Sequence, residues 1–273
     1  MEKMLQEKVS IITGSGRGIG RAAALLFSNQ GAKVVVNDVD ERQAEETADC
    51  IQSSGGECIV VVGDVSDPSF AERIVTLSVE AWGGLHILVN NAGFYWDAPI
   101  HRMTDEQWET MISVNLTAPF RLIRSAAPYF RDAAKQEKAD GIVAYRKIIN
   151  ISSVVALQGN AFQANYASAK AGLVGMTRSL AKEWGSFNIQ VNAIAYGWID
   201  TRLTAGKADG QSLEREGATI PIGMPAAMRD LMPMLIPFGR AGTPEEAAGP
   251  MLFLASSLSD YVSGQCLEVS GGM

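Results

Sequence analysis

The sequence has few cysteines and histidines for its 273 residues. The three cysteines, Cys50, Cys58 and Cys266, are scattered along the chain and fit neither a disulfide framework nor a metal cluster. The two histidines, His86 and His101, show no ligand or triad context, so we assign them no role. The sequence therefore predicts no metal site.

Long apolar runs and an excess of basic residues are also missing. No run approaches the roughly 18 apolar residues that a membrane span requires. The beginning, MEKMLQEKVSIITGSG, has nothing resembling a signal-peptide cleavage site. A formal charge of −7 gives no basic surface for nucleic acid, whereas 47% apolar residues are enough for a substantial core. We expect a soluble cytoplasmic protein that binds neither nucleic acid nor a membrane.

Short runs of β-branched residues alternate with longer amphipathic stretches along the whole chain. Seven such runs predict buried strands, at residues 9–13, 33–37, 58–62, 86–90, 147–151, 189–194 and 266–269. Because strands that alternate with helices form right-handed crossovers, the pattern predicts an α/β fold with a doubly wound parallel sheet of about seven strands and helices on both faces. No linker or repeat divides the chain, so we expect a single domain over residues 1–273.

Three helix starts are marked by their capping residues. TDEQ at 104–107 and TPEE at 243–246 are capping boxes, the second with proline at the first helical position. Asp67, which precedes Pro68, is the predicted N-cap of a third helix.

Two stretches lack a clear pattern. Residues 131–147 are charged and predict a surface excursion before the fifth strand. Residues 202–237, here called the 202–237 segment, are rich in Met, Pro and Gly and have no strand signal. Loops this long are usually lids or binding loops, so the segment is a candidate substrate lid. The alternative is a peripheral helical insertion packed by four methionines, Met224, Met228, Met232 and Met234.

A glycine-rich turn, TGSGRGIG at 13–20, joins the first predicted strand to the first helix. Its glycines, Gly14, Gly16, Gly18 and Gly20, depart from the strict G-x-G-x-x-G spacing. Glycines let the backbone approach a pyrophosphate, and the start of the following helix supplies amides and a positive dipole end. The position of the turn therefore predicts a dinucleotide site.

Asp38 ends the second predicted strand. A carboxylate there can hold both ribose hydroxyls of NAD and would repel the 2′-phosphate of NADP. Alternatively, Asp38 or Asp40 caps the next helix, and the two roles are compatible if Asp40 caps while Asp38 binds. Arg17, inside the glycine turn, favours a phosphate instead. We predict NAD(H), with NADP(H) as the alternative.

Tyr166 and Lys170 lie four residues apart in YASAK, which places them on one helix face. A cation one turn away stabilises the phenolate and lowers the pKa of the tyrosine, so that proton exchange with an alcohol or ketone becomes feasible. Ser153 stands at the end of the fifth predicted strand, and ligands bind at that edge of an open parallel sheet. A hydroxyl donor, a phenol and a nucleotide turn would then share one crevice.

Taken together, these motifs resemble the short-chain dehydrogenase/reductase family over essentially the whole chain. The matching motifs are TGSGRGIG (13–20), GDV (63–65), NNAG (90–93), Asn115 in VNL, Ser153, YASAK (166–170) and GWIDT (197–201). The resemblance implies a Rossmann fold and NAD(P)-dependent hydride transfer between nicotinamide and a ketone or secondary alcohol.

The resemblance also implies a role for each matching residue. Tyr166 would be the general acid/base, and Lys170 would lower its pKa and hold the nicotinamide ribose. Ser153, rather than Ser152, would bind the substrate oxygen, and Asn115 would hold a water that relays protons. The implied cofactor contacts are Gly14, Ser15, Gly16, Arg17, Gly18, Ile19, Gly20, Asp38, Asp64, Val65, Asn90, Ala92, Gly93, Tyr166, Lys170, Tyr196, Gly197, Ile199 and Thr201. Structural roles for Asn90 and Asn115, and an N-cap role for Thr201, stay open.

One position departs from the family pattern. Tyr196-Gly197 stands where the family usually has Pro-Gly. Tyrosine restores an amide and adds a large ring, which either reshapes the active-site floor near the nicotinamide or faces the core.

Aromatic residues, together with the methionine-rich 202–237 segment, indicate the class of substrate. Phe94, Tyr95 and Trp96 are consecutive, so at least one is expected to line the cleft or to be exposed, and Trp198 adds a fourth ring. They favour an apolar ketone or acyl-type substrate, although packing beneath the lid is the alternative.

The resemblance leaves the substrate and the assembly open in specific ways. The C-terminal stretch is most similar to the 3-oxoacyl-carrier-protein reductase branch, which implies NADPH and a basic surface for an acidic carrier protein. Asp38 and the net acidity argue against a direct transfer of that activity. A non-catalytic dinucleotide sensor is the alternative of another class.

Relatives are mostly tetramers, so we expect a homotetramer.

Overall fold

A computed structural model describes residues 3–206, 212–215 and 218–273. The strands are β1 (Val9–Ile12), β2 (Lys33–Val36), β3 (Cys58–Val60), β4 (Ile87–Asn90), β5 (Arg146–Ser153), β6 (Ile189–Tyr196), β7 (Ser212–Arg215), β8 (Ala218–Pro221) and β9 (Cys266–Val269). Seven of them form one parallel sheet in the order β3-β2-β1-β4-β5-β6-β9, which confirms all seven predicted strands. The order reverses between β1 and β4, and this switch point opens a crevice at the carboxyl ends of the strands.

Helices cover both faces of the sheet, as predicted. They are α1 (Gly18–Asn29), α2 (Glu41–Ser53), α3 (Phe70–Trp82), α4 (Asp105–Ile112), α5 (Ala118–Ala127), α6 (Ala133–Ala139), α7 (Val155–Gln158), α8 (Ala164–Trp184), α9 (Ala226–Leu235) and α10 (Pro244–Ala255). One apolar layer packs α3, α4, α5 and α8 against the sheet, and a second packs α1, α2 and α10 against the opposite face. Within the described part of the chain, no helix combines the length and apolar character needed to cross a membrane.

The capping predictions can be compared helix by helix. Thr104 and Thr243 form the predicted capping boxes of α4 and α10, and the carboxylate of Asp40 accepts a hydrogen bond from the backbone N–H of Gln43 in α2. The prediction for Asp67 is wrong, because α3 begins at Phe70. Asp67 instead accepts hydrogen bonds from the backbone N–H and the hydroxyl of Ser69, both at 2.8 Å.

Residues 131–147 are more ordered than the predicted surface excursion. Their first half forms α6, and the guanidinium of Arg146 pairs with Glu137 at 2.7 Å, which ties α6 to the start of β5. Only the stretch after α6 fits the prediction, with Ile142 and Val143 exposed.

The 202–237 segment contains secondary structure that its sequence did not predict. β7 and β8 form an antiparallel pair, and α9 follows. Ile220 and Ile222 are fully buried and anchor the segment. The proposed methionine packing is wrong for Met228 and Met234, which are 43% and 81% exposed, since Met232 is the methionine of α9 that turns inward. Residues 207–211 and 216–217 of the segment lie outside the described residues.

Candidate active site

The glycine turn is packed so closely that side chains are excluded from it. Gly14 has φ +63°, and a Cβ there would lie 2.9 Å from the Cα of Ala92. A Cβ on Gly20 would lie 2.2 Å from the carbonyl oxygen of Gly14. The turn leads directly into the start of α1 at Gly18, where free amides and the helix dipole favour a phosphate. This bare backbone cradle fits the pyrophosphate of a dinucleotide.

Hydrogen bonds fasten the glycine turn to NNAG at the end of β4. The hydroxyl of Thr13 accepts from the backbone N–H groups of Asn91 and Ala92, both at 3.0 Å. The side-chain amide of Asn91 donates to the carbonyls of Thr13 and Gly14 at 2.8 and 3.1 Å. Sequence reasoning named neither Thr13 nor Asn91, although the Asn-Asn doublet at a strand end was a usable signal.

The side chain of Asn90 belongs to a buried network of polar side chains. Its amide donates to the Oδ1 of Asn150 at 2.8 Å, and Asn150 donates to the hydroxyl of Thr177 at 2.9 Å. The network role that the sequence left open for Asn90 is therefore present in the structure.

The carboxylate of Asp38 lies directly beside the glycine turn. It accepts hydrogen bonds from the backbone N–H groups of Gly16 at 3.2 Å and Asp40 at 3.1 Å. A Cβ on Gly16 would lie 2.7 Å from the Oδ2 of Asp38, so no side chain separates this acid from the turn. A carboxylate next to a glycine turn at the end of the second strand can hydrogen-bond the ribose of a dinucleotide, so this geometry fits the predicted role of Asp38.

Arg17 does not point freely from the turn towards a phosphate, as its sequence position suggested. Its guanidinium pairs with Asp40 at 2.5 Å. Arg202 lies near the same charges, and burial together with Arg17 lowers the pKa of Arg202. The two cations and two carboxylates form one local charge cluster around the end of β2.

The residues of GDV, which the resemblance assigns to the adenine side, follow β3 and lie next to Asp38. The backbone N–H of Gly63 donates to the carbonyl of Asp38 at 3.0 Å, which brings GDV next to that acid. Asp64 accepts from the backbone N–H and hydroxyl of Ser66, both at 2.8 Å. Val65 is buried in the same apolar layer as Phe70.

Ser153 and Tyr166 come together at the carboxyl edge of the sheet. Ser153 is the last residue of β5, and Tyr166 lies in the first turn of α8. Tyr166 keeps a small exposed fraction, yet burial raises its pKa to about 12, and a hydrogen bond with Ser153 acts in the opposite direction. Ser152 faces away, because its hydroxyl donates to the backbone carbonyl of Lys170 at 3.1 Å.

Lys170 lies beside the ring of Tyr166. Its ammonium lies 5.7 Å from the centre of that ring and donates to the carbonyl of Ile151 at 2.7 Å. Burial lowers the pKa of Lys170 to about 7. Burial also dominates the pKa of Tyr166, which is raised, so the effect that Lys170 was expected to have on the tyrosine stays a prediction.

Asn115 lies in a π-helical turn, Ser113–Thr117, between α4 and α5. Its amide donates to the carbonyls of Phe94 and Met111, both at 3.1 Å, while its Oδ1 is buried and has no hydrogen-bond partner among the described residues. A Cβ on Gly93 would lie 2.5 Å from that oxygen and 3.3 Å from the Nζ of Lys170. A glycine thus keeps open the space that Asn115 and Lys170 share.

Comparisons with known proteins agree over almost the whole chain. A family model described as enoyl-(acyl carrier protein) reductase matches residues 14–273. The chain is 37% identical over 269 residues to the 3-oxoacyl-acyl-carrier-protein reductase FabG of Thermotoga maritima, covering 98% of each protein. It is 37% identical to the Escherichia coli FabG reductase over 97% of each. A crystal structure titled as a putative short-chain alcohol dehydrogenase from Sinorhizobium meliloti 1021 superposes with a TM-score of 0.86 at 30% identity, covering 100% of this chain and 98% of that one.

The chain belongs to the short-chain dehydrogenase/reductase family. It has the Rossmann-type sheet and is an NAD(P)-dependent oxidoreductase. This membership agrees with the resemblance read from the sequence.

Tyr196, which replaces the usual proline of this family, faces the core. Its ring is buried in the layer beneath α10, and its hydroxyl donates to the backbone carbonyl of Ala247. Of the two alternatives that the sequence left open, the structure shows the second. The side chain of Ile199 is buried in the same layer, so any cofactor contact by these two residues falls to their backbone.

Thr201 lies next to the glycine turn, and Gly197 lies next to Ser270 near the C-terminus. A Cβ on Gly18 would lie 3.5 Å from the Cγ2 of Thr201, so Thr201 reaches the pyrophosphate end of the turn. Thr201 also caps a 3-10 turn, Arg202–Thr204, and thus has the N-cap role that the sequence left open. A Cβ on Gly197 would lie 2.9 Å from the Cα of Ser270, which requires glycine there.

The aromatic residues after NNAG divide between core and cleft. Phe94 is buried in the core, whereas the ring of Tyr95 stands edge-on to Tyr166, with ring centres 6.2 Å apart and planes at 73°. Trp96 packs partly buried against the same core layer. The indole nitrogen of Trp198 is buried without a hydrogen-bond partner among the described residues.

Proposed function

We propose that this family member interconverts an apolar ketone and its secondary alcohol with NAD(H), using Tyr166 as general acid/base. The pairing of the Tyr166 and Ser153 hydroxyls at the carboxyl edge of the sheet is the observation that supports this proposal most strongly. Two hydroxyls at one point can hold a carbonyl oxygen and protonate it as the carbon is reduced.

The chain's own residues define the proton transfer in the reducing direction. Bound nicotinamide supplies the hydride that the substrate carbon accepts. Ser153 donates a hydrogen bond to the substrate oxygen and stabilises its developing charge. Tyr166 transfers the phenolic proton to that oxygen, which completes the alcohol and leaves a phenolate.

Lys170 and Asn115 support this transfer by helping to return a proton to Tyr166. Because Lys170 titrates with a pKa of about 7, it can exchange a proton near neutral pH. The buried Oδ1 of Asn115 faces the same space across Gly93, which suits a hydrogen-bonded proton path that restores the tyrosine.

The choice of NAD(H) over NADP(H) rests on Asp38. Its carboxylate lies against the glycine turn, where a 2′-phosphate would add a second negative charge, while Arg17 is already paired with Asp40. We expect the wild type to prefer NADH and the Asp38→Ala variant to gain NADPH-dependent activity by about 10- to 100-fold, since one like-charge contact is removed. Asp140→Ala, a change at an exposed acid on the far end of α6, is the matched control. A tenfold preference of the wild type for NADPH would contradict this choice.

Reduction of a 3-oxoacyl carrier protein is the second candidate function. The FabG relatives carry that activity in their names. The exposed face near α6 offers Arg131 and Lys135, both beside the ring of Phe187, to an acidic partner. A net charge of −7 and the Asp38 carboxylate favour a free apolar ketone over a carrier-bound one.

A homotetramer is the assembly that we propose. Trp108 of α4 and Phe120 of α5 are exposed on the helices that flank Asn115, and Phe253 of α10 is exposed on the other side of the sheet. Large apolar side chains on two separate surfaces suit two kinds of subunit contact. Light scattering on the purified protein tests the proposal.

A panel of ketones and acyl thioesters with NADH or NADPH tests the function. We expect oxidation of NADH that depends on an apolar ketone. Turnover only with 3-oxoacyl carrier protein and NADPH would support the second candidate. Tight NADH binding without turnover of any substrate would favour a dinucleotide sensor, and turnover of enoyl thioesters alone would move the chemistry to a carbon–carbon double bond.

A further inference from the structure

The hydroxyl of Tyr95 joins the two ends of the β7–β8 excursion within the 202–237 segment. It donates to the backbone carbonyl of Leu203, and the backbone of Gly223 hydrogen-bonds the same oxygen. The β7–β8 pair lies between Leu203 and Gly223 in the chain. The two ends are also joined directly, because the backbone N–H of Met224 donates to the carbonyl of Ala205 at 2.8 Å. We call residues 203–206 and 222–224 the neck of the segment.

The loop that carries Tyr95 is fixed to the start of the catalytic helix. Asp97 accepts a hydrogen bond from the side chain of Gln163 at 2.9 Å, and the carbonyl of Trp96 accepts one from Asn165 at 3.0 Å. The same Asn165 accepts from the backbone N–H of Tyr166 at 2.8 Å. These hydrogen bonds between the loop of Tyr95 and the start of α8 therefore set the position of Tyr95 relative to Tyr166.

The ring of Tyr95 stands against the proposed proton donor. Its edge-on contact with Tyr166 is a favourable aromatic geometry, and it restricts where the phenol can move. Burial raises the pKa of Tyr95 to about 12, so its hydroxyl remains a hydrogen-bond donor at working pH. One side chain thus contacts both the catalytic tyrosine and the neck.

We propose that Tyr95 is a positioning and specificity residue, whose ring aligns Tyr166 and whose hydroxyl holds the neck as one wall of the substrate site. The ring restricts the space beside the substrate oxygen, and the neck restricts the space beyond it. The catalytic part of this inference rests on the proposed role of Tyr166, whereas the structural part does not.

Two substitutions separate the two functions of the side chain. Tyr95→Phe keeps the ring and removes the hydroxyl, so we expect KM for bulky apolar ketones to change at least about threefold while kcat changes less. Tyr95→Leu removes the ring, and we expect kcat to fall about 10- to 100-fold because Tyr166 loses its alignment. Tyr95→Leu should also move the pH profile of kcat, since Tyr166 becomes less buried. Tyr261→Phe, at a fully exposed tyrosine, is the control for loss of a phenol hydroxyl.

Hydrogen exchange tests the neck without any turnover. We expect the Met224 amide to exchange about tenfold faster in Tyr95→Phe than in the wild type, because one hydrogen bond is lost. Unchanged exchange in Tyr95→Phe would overturn the role of the hydroxyl, whatever the kinetics show. A kcat for Tyr95→Leu equal to that of the wild type would overturn the role of the ring. If the wild type reduces no ketone, the proposed function fails, and the exchange measurement still decides the contact with the neck.

Discussion

Lys170 is 4% exposed, and its ammonium donates a hydrogen bond to the carbonyl of Ile151. Burial favours the neutral amine and lowers its pKa from 10.5 to about 7. A buried amine whose pKa is lowered in this way costs stability relative to methionine, an apolar residue of similar length.

Lys170→Met should therefore separate stability from activity. The unfolded chain binds a proton at Lys170 up to its ordinary pKa, while the folded chain releases it above about 7, so wild-type stability rises with pH between those two values. We expect the variant to lose activity, to be about 1–3 kcal/mol more stable at neutral pH, and to lack that rise. Urea denaturation at neutral and alkaline pH measures both effects. A variant less stable than the wild type at neutral pH would contradict the burial argument.

Single residues were predictable from the sequence when their type and spacing carry the chemistry, as with Ser153 and Tyr166. Others acquire their place from the tertiary structure. The pairing of Arg17 with Asp40 and the contact of Tyr95 with Leu203 join positions 23 and 108 residues apart. No local pattern encodes such pairs. The burial that raises the pKa of Tyr166 has no local signal either, because it depends on the whole fold.

Among the elements, the π-helical turn at Asn115 has the clearest consequence. A π turn inserts one residue into a helix and changes which way the side chains point, and it is often found at functional sites. Here it directs Asn115 towards Gly93 and Lys170. The sequence indicated Asn115 but gave no sign of the turn.

Gly93→Ala tests the space that this turn creates. The new methyl group would lie 2.5 Å from the Oδ1 of Asn115, which forces either the loop or the turn to shift. We expect kcat to fall at least about tenfold and stability to fall by about 1–3 kcal/mol. Gly185→Ala is the control, because that glycine has φ −58° and open space around it. Wild-type activity in Gly93→Ala would show that the space has no function.

His86 gives a pH-dependent test of the β1–β4 pairing. Its Nδ1 accepts from the backbone N–H of Val9 at 3.1 Å, and burial lowers its pKa to about 4. The unfolded chain binds the proton at higher pH than the folded chain, so stability falls as pH drops from about 6.5 to about 4. His86→Asn can keep the acceptor without the titration, and we expect it to flatten this fall by up to about 2 kcal/mol. A slope equal to that of the wild type, or of the exposed-site control His101→Gln, would contradict the assignment.

Elements with strong local patterns were predicted, and those held by distant contacts were not. The seven sheet strands are runs of β-branched residues, and the capping boxes of α4 and α10 are local motifs. β7 and β8 read SLER and ATIP, which have no strand pattern. They are anchored by Ile220 and by contacts with the rest of the fold. α6 reads AAKQEKA, which consists of strong helix formers, and it was missed because its charge was given more weight than its helix propensity.

At the scale of the whole molecule, the strand order creates the site. Placing β4 beside β1 and β5 beside β4 brings the glycine turn, NNAG and Ser153 to one edge, although they are far apart in the sequence. The alternation of strands and helices predicts this sheet in outline. The sequence did not define the neck that we propose as a wall of the substrate site, and it therefore did not define the substrate.

Ketone-dependent oxidation of NADH by the wild type, Tyr166→Phe, Ser153→Ala and Tyr261→Phe is the measurement that tests the central claim most directly. General acid catalysis contributes about 10²- to 10⁴-fold, so we expect Tyr166→Phe to lose activity by that factor while NADH binding is retained. Ser153→Ala should lose about 10²- to 10³-fold, as expected for one hydrogen bond to a developing oxyanion, and Tyr261→Phe should equal the wild type. Wild-type rates in Tyr166→Phe, with the same ketone and cofactor, would show that another group supplies the proton.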